Sequence, residues 1–251
     1  MPEGPAPVDW QGAPLDCVSC RFARLLDDRQ CGLGWACVHD RYAKRIERFF
    51  VLNPDCADDC LRMPYFETRV NAARVASVFR LPPLLADEDA SVRAMAILRL
   101  PPSHAERLMD DPDRRVRIAV AHRLPADAVL AMAGDTAGSV RAIVARRAAP
   151  GQLPMMIADP DPETRRSVAR RIAPVRLDGF RADPDPLVRR EAALRRPALF
   201  VADADLRVRH AVAETGDAAV IQPLLHDPEP IIRETAAARL AQIKETAHVD
   251  R

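Results

Sequence analysis

DPDRRVRIAVAHRLP, residues 111–125, is one copy of a phrase that recurs along most of the chain. Its Arg117 marks the register. Arginine returns at 69, 93, 141, 165, 189, 209 and 233, in steps of 24 residues with one shortened step of 20. Self-similarity at a fixed period of this size signals stacked repeats, each burying its apolar face only against its neighbours.

Counting from the marker arginine, position −1 holds Val92, Val116, Val140, Thr164, Val188, Val208 and Ile232. Position +3 holds Ala96, Val120, Val144, Val168, Ala192, Val212 and Ala236, and position +4 is mostly alanine, as at Ala121, Ala145 and Ala169. Position +7 adds Leu100, Leu124, Ile172 and Leu240. That spacing is one apolar face of a helix. Asp-Pro-Asp or a relative precedes it, as at Asp159 to Asp161 and Asp183 to Asp185; aspartate caps free amides and proline is tolerated in a first turn. Pro101, Pro125, Pro150, Pro174 and Pro197 supply the stop, so each helix has about ten residues.

The rest of each repeat is short. Its recurrent apolar position reads Leu84, Leu108, Met132, Met156, Phe180, Phe200 and Leu224, with room for a short helix of one 3₁₀ turn. Nothing alternates with period two. The expected fold is all-α, a right-handed superhelical solenoid of α/3₁₀ repeats over residues 53–251, with a small Cys-rich cap over residues 1–52. Residues 1–16 read as an extended arm anchored by Trp10. Tyr42, Ile46, Phe49 and Phe50 form one helical face that predicts an element covering the first repeat.

Six cysteines compete for a metal. Cys60 lies 24 residues before Leu84 and so fills the buried apolar slot; Cys56 lies 24 before Arg80, in the same short helix. Both fall in the repeat register. That leaves Cys17, Cys20, Cys31 and Cys37 as the expected ligands, with Cys56 the substitute. Four thiolates suit an iron–sulfur cluster or zinc alike, and spacing leaves both open. Gly32 and Gly34 are expected to let amides approach the sulfurs, and Phe22, Leu33 and Trp35 to exclude water. His39 reads as a solvated helix-start residue.

The DPDxxVRxxVAxRLP repeats behind a four-cysteine segment resemble the leucine-rich repeat variant proteins of nitrogen-fixing bacteria. The resemblance spans essentially the whole chain. It implies alternating α- and 3₁₀-helices, a 4Fe–4S cluster at the N-terminal end and a genomic link to nitrogen fixation, but no activity. The strand motif of ordinary leucine-rich repeats is missing, so their sheet-lined horseshoe is not expected.

Two arginine sets bear on partners. An acid stands four residues before the marker at Asp89, Asp113, Asp161, Asp185, Asp205 and Glu229, which predicts intrahelical ion pairs. Arg99, Arg123, Arg147, Arg171, Arg195 and Arg239 at +6 lack such a regular acid, and the first five are the expected partner-binding residues. Only Lys44 and Lys244 are lysines; we ascribe the bias to base composition ahead of a use for planar guanidinium forks.

The totals exclude more than they assign. Net charge is +1, with residues 1–60 acidic and the remainder mildly basic, so tight non-specific nucleic-acid binding is not implied. Aromatic residues make up 4% of the chain, too few for single-strand stacking, which favours an acidic protein surface over nucleic acid. No leader or 18-residue apolar span is evident, which predicts a cytoplasmic protein without a membrane segment, its cysteines reduced. The six histidines form no metalloenzyme motif, and there is no phosphate loop or nucleophile elbow, so neither an enzyme nor a small-molecule substrate is expected. The leading expectation is a redox or sensing iron–sulfur protein whose solenoid binds a macromolecule. The alternatives are a scaffold whose metal only staples the cap, and a nucleic-acid-binding array.

Overall fold

A computed structural model of the chain describes residues 5–249; residues 1–4 and 250–251 of the expected cap and array lie outside it. The described residues are helical throughout and hold no strand beyond two isolated bridges. The chain divides into two compact units, residues 1–125 and 126–251. The cap shares the first unit with the first repeats, although an element does end at the expected cap boundary, Leu52.

The first unit carries α1 (Arg24–Asp27), α2 (Ala43–Leu52), α3 (Ala57–Cys60), α4 (Phe66–Val75), α5 (Ala90–Arg99) and α6 (Arg114–Arg123). The second carries α7 (Gly138–Arg147), α8 (Pro162–Ala169), α9 (Pro186–Ala193), α10 (Leu206–Thr215), α11 (Ala218–Ile221) and α12 (Pro230–Val249). The starts follow the aspartates: the side chains of Asp89, Asp113, Asp161, Asp185 and Asp205 each accept a hydrogen bond from the N–H two residues on. α12 runs past the length of the others because Ala241 stands where earlier repeats place proline. At α10 the stop is Gly216, where a Cβ would meet Ile221 Cγ2 at 2.6 Å.

The whole −1 and +3 rows are fully buried. Between the α-helices lie 3₁₀ segments, among them Pro82–Ala86, Pro102–Leu108, Pro150–Met156 and Pro174–Phe180. Three of these span seven residues, longer than the single turn expected. Geometry explains the length. A 3₁₀-helix rises about 2.0 Å per residue against 1.5 Å in an α-helix, so seven residues retrace roughly the length of a ten-residue α-helix.

The marker arginines do not pair with the acid four residues earlier, because that acid caps its own helix. Arg69, Arg93, Arg141, Arg165, Arg189 and Arg209 instead reach the first aspartate of the next Asp-Pro-Asp-type turn. Arg93 sends Nε to Asp111 Oδ2 at 2.7 Å and Nη2 to Asp111 Oδ1 at 2.8 Å, while Nη1 donates to the carbonyl of Asp87 at 2.8 Å. Asp87 in turn accepts Arg69 at 2.8 Å through both of its carboxylate oxygens. The second unit repeats the pattern with Arg141–Asp159, Arg165–Asp183, Arg189–Asp203 and Arg209–Asp227. Lysine offers no such fork, so at these positions the need for guanidinium, not base composition, explains the residue.

Five of the +6 arginines, those expected to bind a partner, are engaged within the chain. Arg99 donates to the carbonyls of Ala73, Arg74 and Ala76, and Arg123 to Leu100 O at 2.7 Å. Arg171 reaches Ala145 O and Ala148 O at 2.9 and 2.8 Å, and Arg195 reaches Ala169 O and Ile172 O at 2.9 and 2.6 Å. Arg147 has a partner too. These side chains satisfy carbonyls left open where the preceding helix ends, and a cation there suits the helix dipole.

Candidate metal centre

The cap is built around a tight loop. Gly32 N–H donates to Ala36 O at 2.7 Å and Ala36 N–H returns to Gly32 O at 3.1 Å, an antiparallel bridge that sets Cys31 and Cys37 on its two flanks. The five-residue spacing between these cysteines is thus the length of a hairpin. Gly34 takes φ 80°, a conformation that favours glycine, and a Cβ on Gly32 would strike Trp35 Nε1 at 2.2 Å. The two glycines serve the loop and not the sulfurs, contrary to the expected amide approach.

The amides that do reach sulfur come from elsewhere. Phe22 N–H donates to Cys20 Sγ at 3.4 Å, and the backbone amides of His39 and Asp40 work against burial in lowering the pKa of Cys37. Cys37 N–H is itself tied to Arg45 O in α2 at 3.1 Å. Arg45 is buried and pairs with Asp40 at 3.0 Å, and its Nη2 donates to Pro5 O at 2.7 Å, which fastens the arm. Trp10 stacks on Tyr65 with centroids 6.2 Å apart, the anchor expected of it.

Cys17, Cys20, Cys31 and Cys37 line one narrow crevice, walled by Phe22, Leu26, Val38 and Phe49. Cys56 and Cys60 do not line it. Cys60 is fully buried in the core, at the slot its register predicts, and Cys56 is half-buried at the start of α3. Phe22 shields the crevice and packs edge-on against Phe49 at 5.3 Å; Leu33 is exposed and Trp35 covers Gly32, so neither does the shielding expected of it. Cys17, Cys20 and Cys37 also face a wider cleft of about 510 Å³ that reaches Arg21, His39 and Tyr65. His39 is half-buried on that cleft instead of solvated, and burial followed by the nearby Arg21 lowers its pKa.

All six cysteines are free thiols. Burial pushes Cys37 up to about 11 and Cys60 up to about 12, and it raises Cys17 and Cys31 as well. Among the described residues no three His, Cys, Asp or Glu side chains close on a common point at metal-binding reach. The crevice nonetheless offers what a cluster requires: four sulfurs, N–H donors to two of them and an apolar wall.

The repeats decide the relationship. A solved structure described as a leucine-rich repeat variant with a novel repetitive structural motif is 38% identical, covering 90% of this chain and 99% of its own length, with a TM-score of 0.78. The chain belongs to the leucine-rich repeat variant family. A family model described as the LRV protein FeS4 cluster matches residues 7–59, which contain the four crevice cysteines and Cys56 but not Cys60. A Rhodobacter capsulatus protein described as an uncharacterized 27.7 kDa protein in the nifB 3′ region is 69% identical over 106 residues. That alignment covers 42% of this chain, and the chain spans 43% of the relative's length. The family match names iron and sulfur, and nothing supports zinc. No helix among the described residues is long and apolar enough to cross a membrane.

Proposed function

We propose that the chain is a cytoplasmic, non-enzymatic iron–sulfur protein whose cap carries a redox-active or sensing 4Fe–4S cluster on Cys17, Cys20, Cys31 and Cys37, and whose repeats bind a macromolecular partner. One observation carries the reading. In a segment matching the FeS4 family, the four cysteines outside the repeat register share one crevice, from which Cys56 and Cys60 are absent. When bound, such a cluster supplies one-electron chemistry. The chain contributes the four sulfurs, the Phe22, His39 and Asp40 amides that stabilise their charge, and the Phe22–Phe49 wall that limits water. A link to nitrogen fixation is supported by the family resemblance and by the nifB-region relative.

A scaffold reading is favoured by one contact. Cys37 is tied to α2, which packs on α4, so a metal there would also fasten the cap to the first repeat. Anaerobic purification with iron and acid-labile sulfide analysis tests the cluster. Reversible reduction that changes partner affinity supports a redox or sensing role; reduction without effect on affinity or fold leaves the scaffold.

A further inference from the structure

Besides the +6 arginines, which hold helix ends, one group in the second unit stands out. Glu191 occupies the +2 position, which in other repeats is Asn71, Met95, Ala119, Ile143, Ser167, Ala211 or Thr235, none of them charged. Its side chain is 10% exposed, and its Oε1 faces three guanidinium groups: Arg170 at 2.8 Å, Arg166 at 3.8 Å and Arg190 at 3.9 Å. The Arg170 hydrogen bond holds the Glu191 carboxyl below its ordinary pKa in spite of burial, so the anchor stays charged. Arg166 also binds Glu163 at 2.9 Å. Arg146, at the register position of Arg170 on the adjacent α7, is exposed and has no ion pair among the described residues.

One carboxylate cannot use the donors of three guanidinium groups, each of which carries five N–H bonds. A further polar atom is left over there: Arg166 Nε is without a partner. Four arginines against Glu163 and Glu191 give this face a net positive charge, held in position by a buried anchor.

We propose that Arg146, Arg166, Arg170 and Arg190 form the partner-binding face of the repeats, and that its partner is a carboxylate-rich segment of another protein. The proposal rests on the reading that the repeats bind a macromolecule. Carboxylates match guanidinium forks, and on this face Glu163 and Glu191 each already accept one such bond, from Arg166 and Arg170. The chain lacks the aromatic residues that would add base stacking.

The test uses full-length, iron-loaded protein and a fluorescein-labelled hexaglutamate peptide at low salt. Binding should weaken as salt rises, and Arg166→Gln with Arg170→Gln should loosen it about tenfold. Arg146→Gln, which breaks no ion pair, should loosen it by a smaller factor, and Arg80→Gln on the first unit should leave it unchanged. No peptide binding, or equal binding by the variants and the parent, overturns the proposal. So does a DNA duplex that displaces the peptide through the same arginines. Iron content is read on the same samples: lost binding with full iron sinks this face alone, and absent iron with intact binding sinks the cluster reading alone.

Discussion

The repeats and the cap solve the same problem in opposite ways. In the repeats every described marker arginine is matched by groups the chain itself supplies, such as Arg165 with both oxygens of Asp183 and the carbonyl of Asp159. In the cap, four thiols share a crevice, backbone amides reach two of them, and none is paired with another. The repeats close their polar accounts by periodicity, since each turn's aspartate is the next arginine's partner. The cap's chemistry points outward from the chain, toward an ion that would take the place of four protons. The lesson is that regular spacing builds self-sufficient structure, whereas a cluster outside the register is where a cofactor reading belongs.

The largest effect should fall on the cap. Serine at Cys17, Cys20, Cys31 or Cys37 should remove most iron and sulfide, whereas Cys56→Ser and Cys60→Ala should retain them. Iron retained in Cys37→Ser but lost in Cys56→Ser would exchange the roles of the two residues. Because burial raises Cys37 to about 11, protons compete with metal, so loading measured against a chelator should weaken as pH falls.

The repeats should answer through stability instead. The Arg165 and Asp183 side chains are 11% and 5% exposed, and removing one partner leaves a buried charge. Arg165→Ala should cost about 3–5 kcal/mol in urea unfolding. Arg165→Lys keeps the charge and should recover only part of that, since a point charge cannot bind two carboxylate oxygens and a carbonyl together. Arg207→Ala, at an exposed pair with Asp205, should move the midpoint little. Equal losses at Arg165 and Arg207 would show that burial of the fork contributes nothing.

The repeat rows and the helix caps were legible because each leaves a periodic trace. Cys60 sits where its register places it, and the x5 spacing of Cys31 and Cys37 turned out to be a hairpin closed by Gly32 and Ala36. What misled was the assumption that charges pair nearby. An aspartate at i−4 looks like a partner until the helix start claims it, and the true partner of Arg93 lies 18 residues ahead, across a turn that no local pattern shows. The shortened repeat makes the point again: Arg189 finds Asp203 only 14 residues on, because its 3₁₀ segment, Pro197–Leu199, has lost the missing residues. The carbonyls that the +6 arginines reach are hidden in the same way, since they belong to the previous repeat. The Arg166–Glu191 group left only one sign, an acid in a row of otherwise uncharged residues.

Acid should separate the two regions further. The Asp227 carboxyl is held below its usual value of 3.8, first by the Arg209 hydrogen bond and against the effect of burial. For Asp111 burial is the largest influence and acts upward, but the Arg93 hydrogen bonds and the Asp113 amide together bring it below 3.8. A lowered native pKa means that the unfolded chain takes up protons first. The contribution of these two rungs of the arginine–aspartate ladder is therefore complete above 3.8 and fades as pH falls through their native values. Arg209→Gln should raise the acid-unfolding midpoint, and a midpoint that stays put would exclude the ladder from acid stability.

The smallest effects concern the caps, where the chain contains its own control. Asp161 accepts the Glu163 N–H at 2.8 Å, and Asp161→Ala should cost about 1 kcal/mol. α7 starts at Ala137, whose φ and ψ of −90° and 119° match the −90° and 122° of Asp113, yet it has no side-chain acceptor. The backbone already holds the capping conformation, so only the carboxylate is missing. Ala137→Asp should thus stabilise the protein by about 0.5–1 kcal/mol, with no change in the slope of unfolding against urea. A loss in place of that gain would mean that α7 tolerates alanine because its first turn is satisfied by something other than a cap, and that the repeats are less interchangeable than their period suggests.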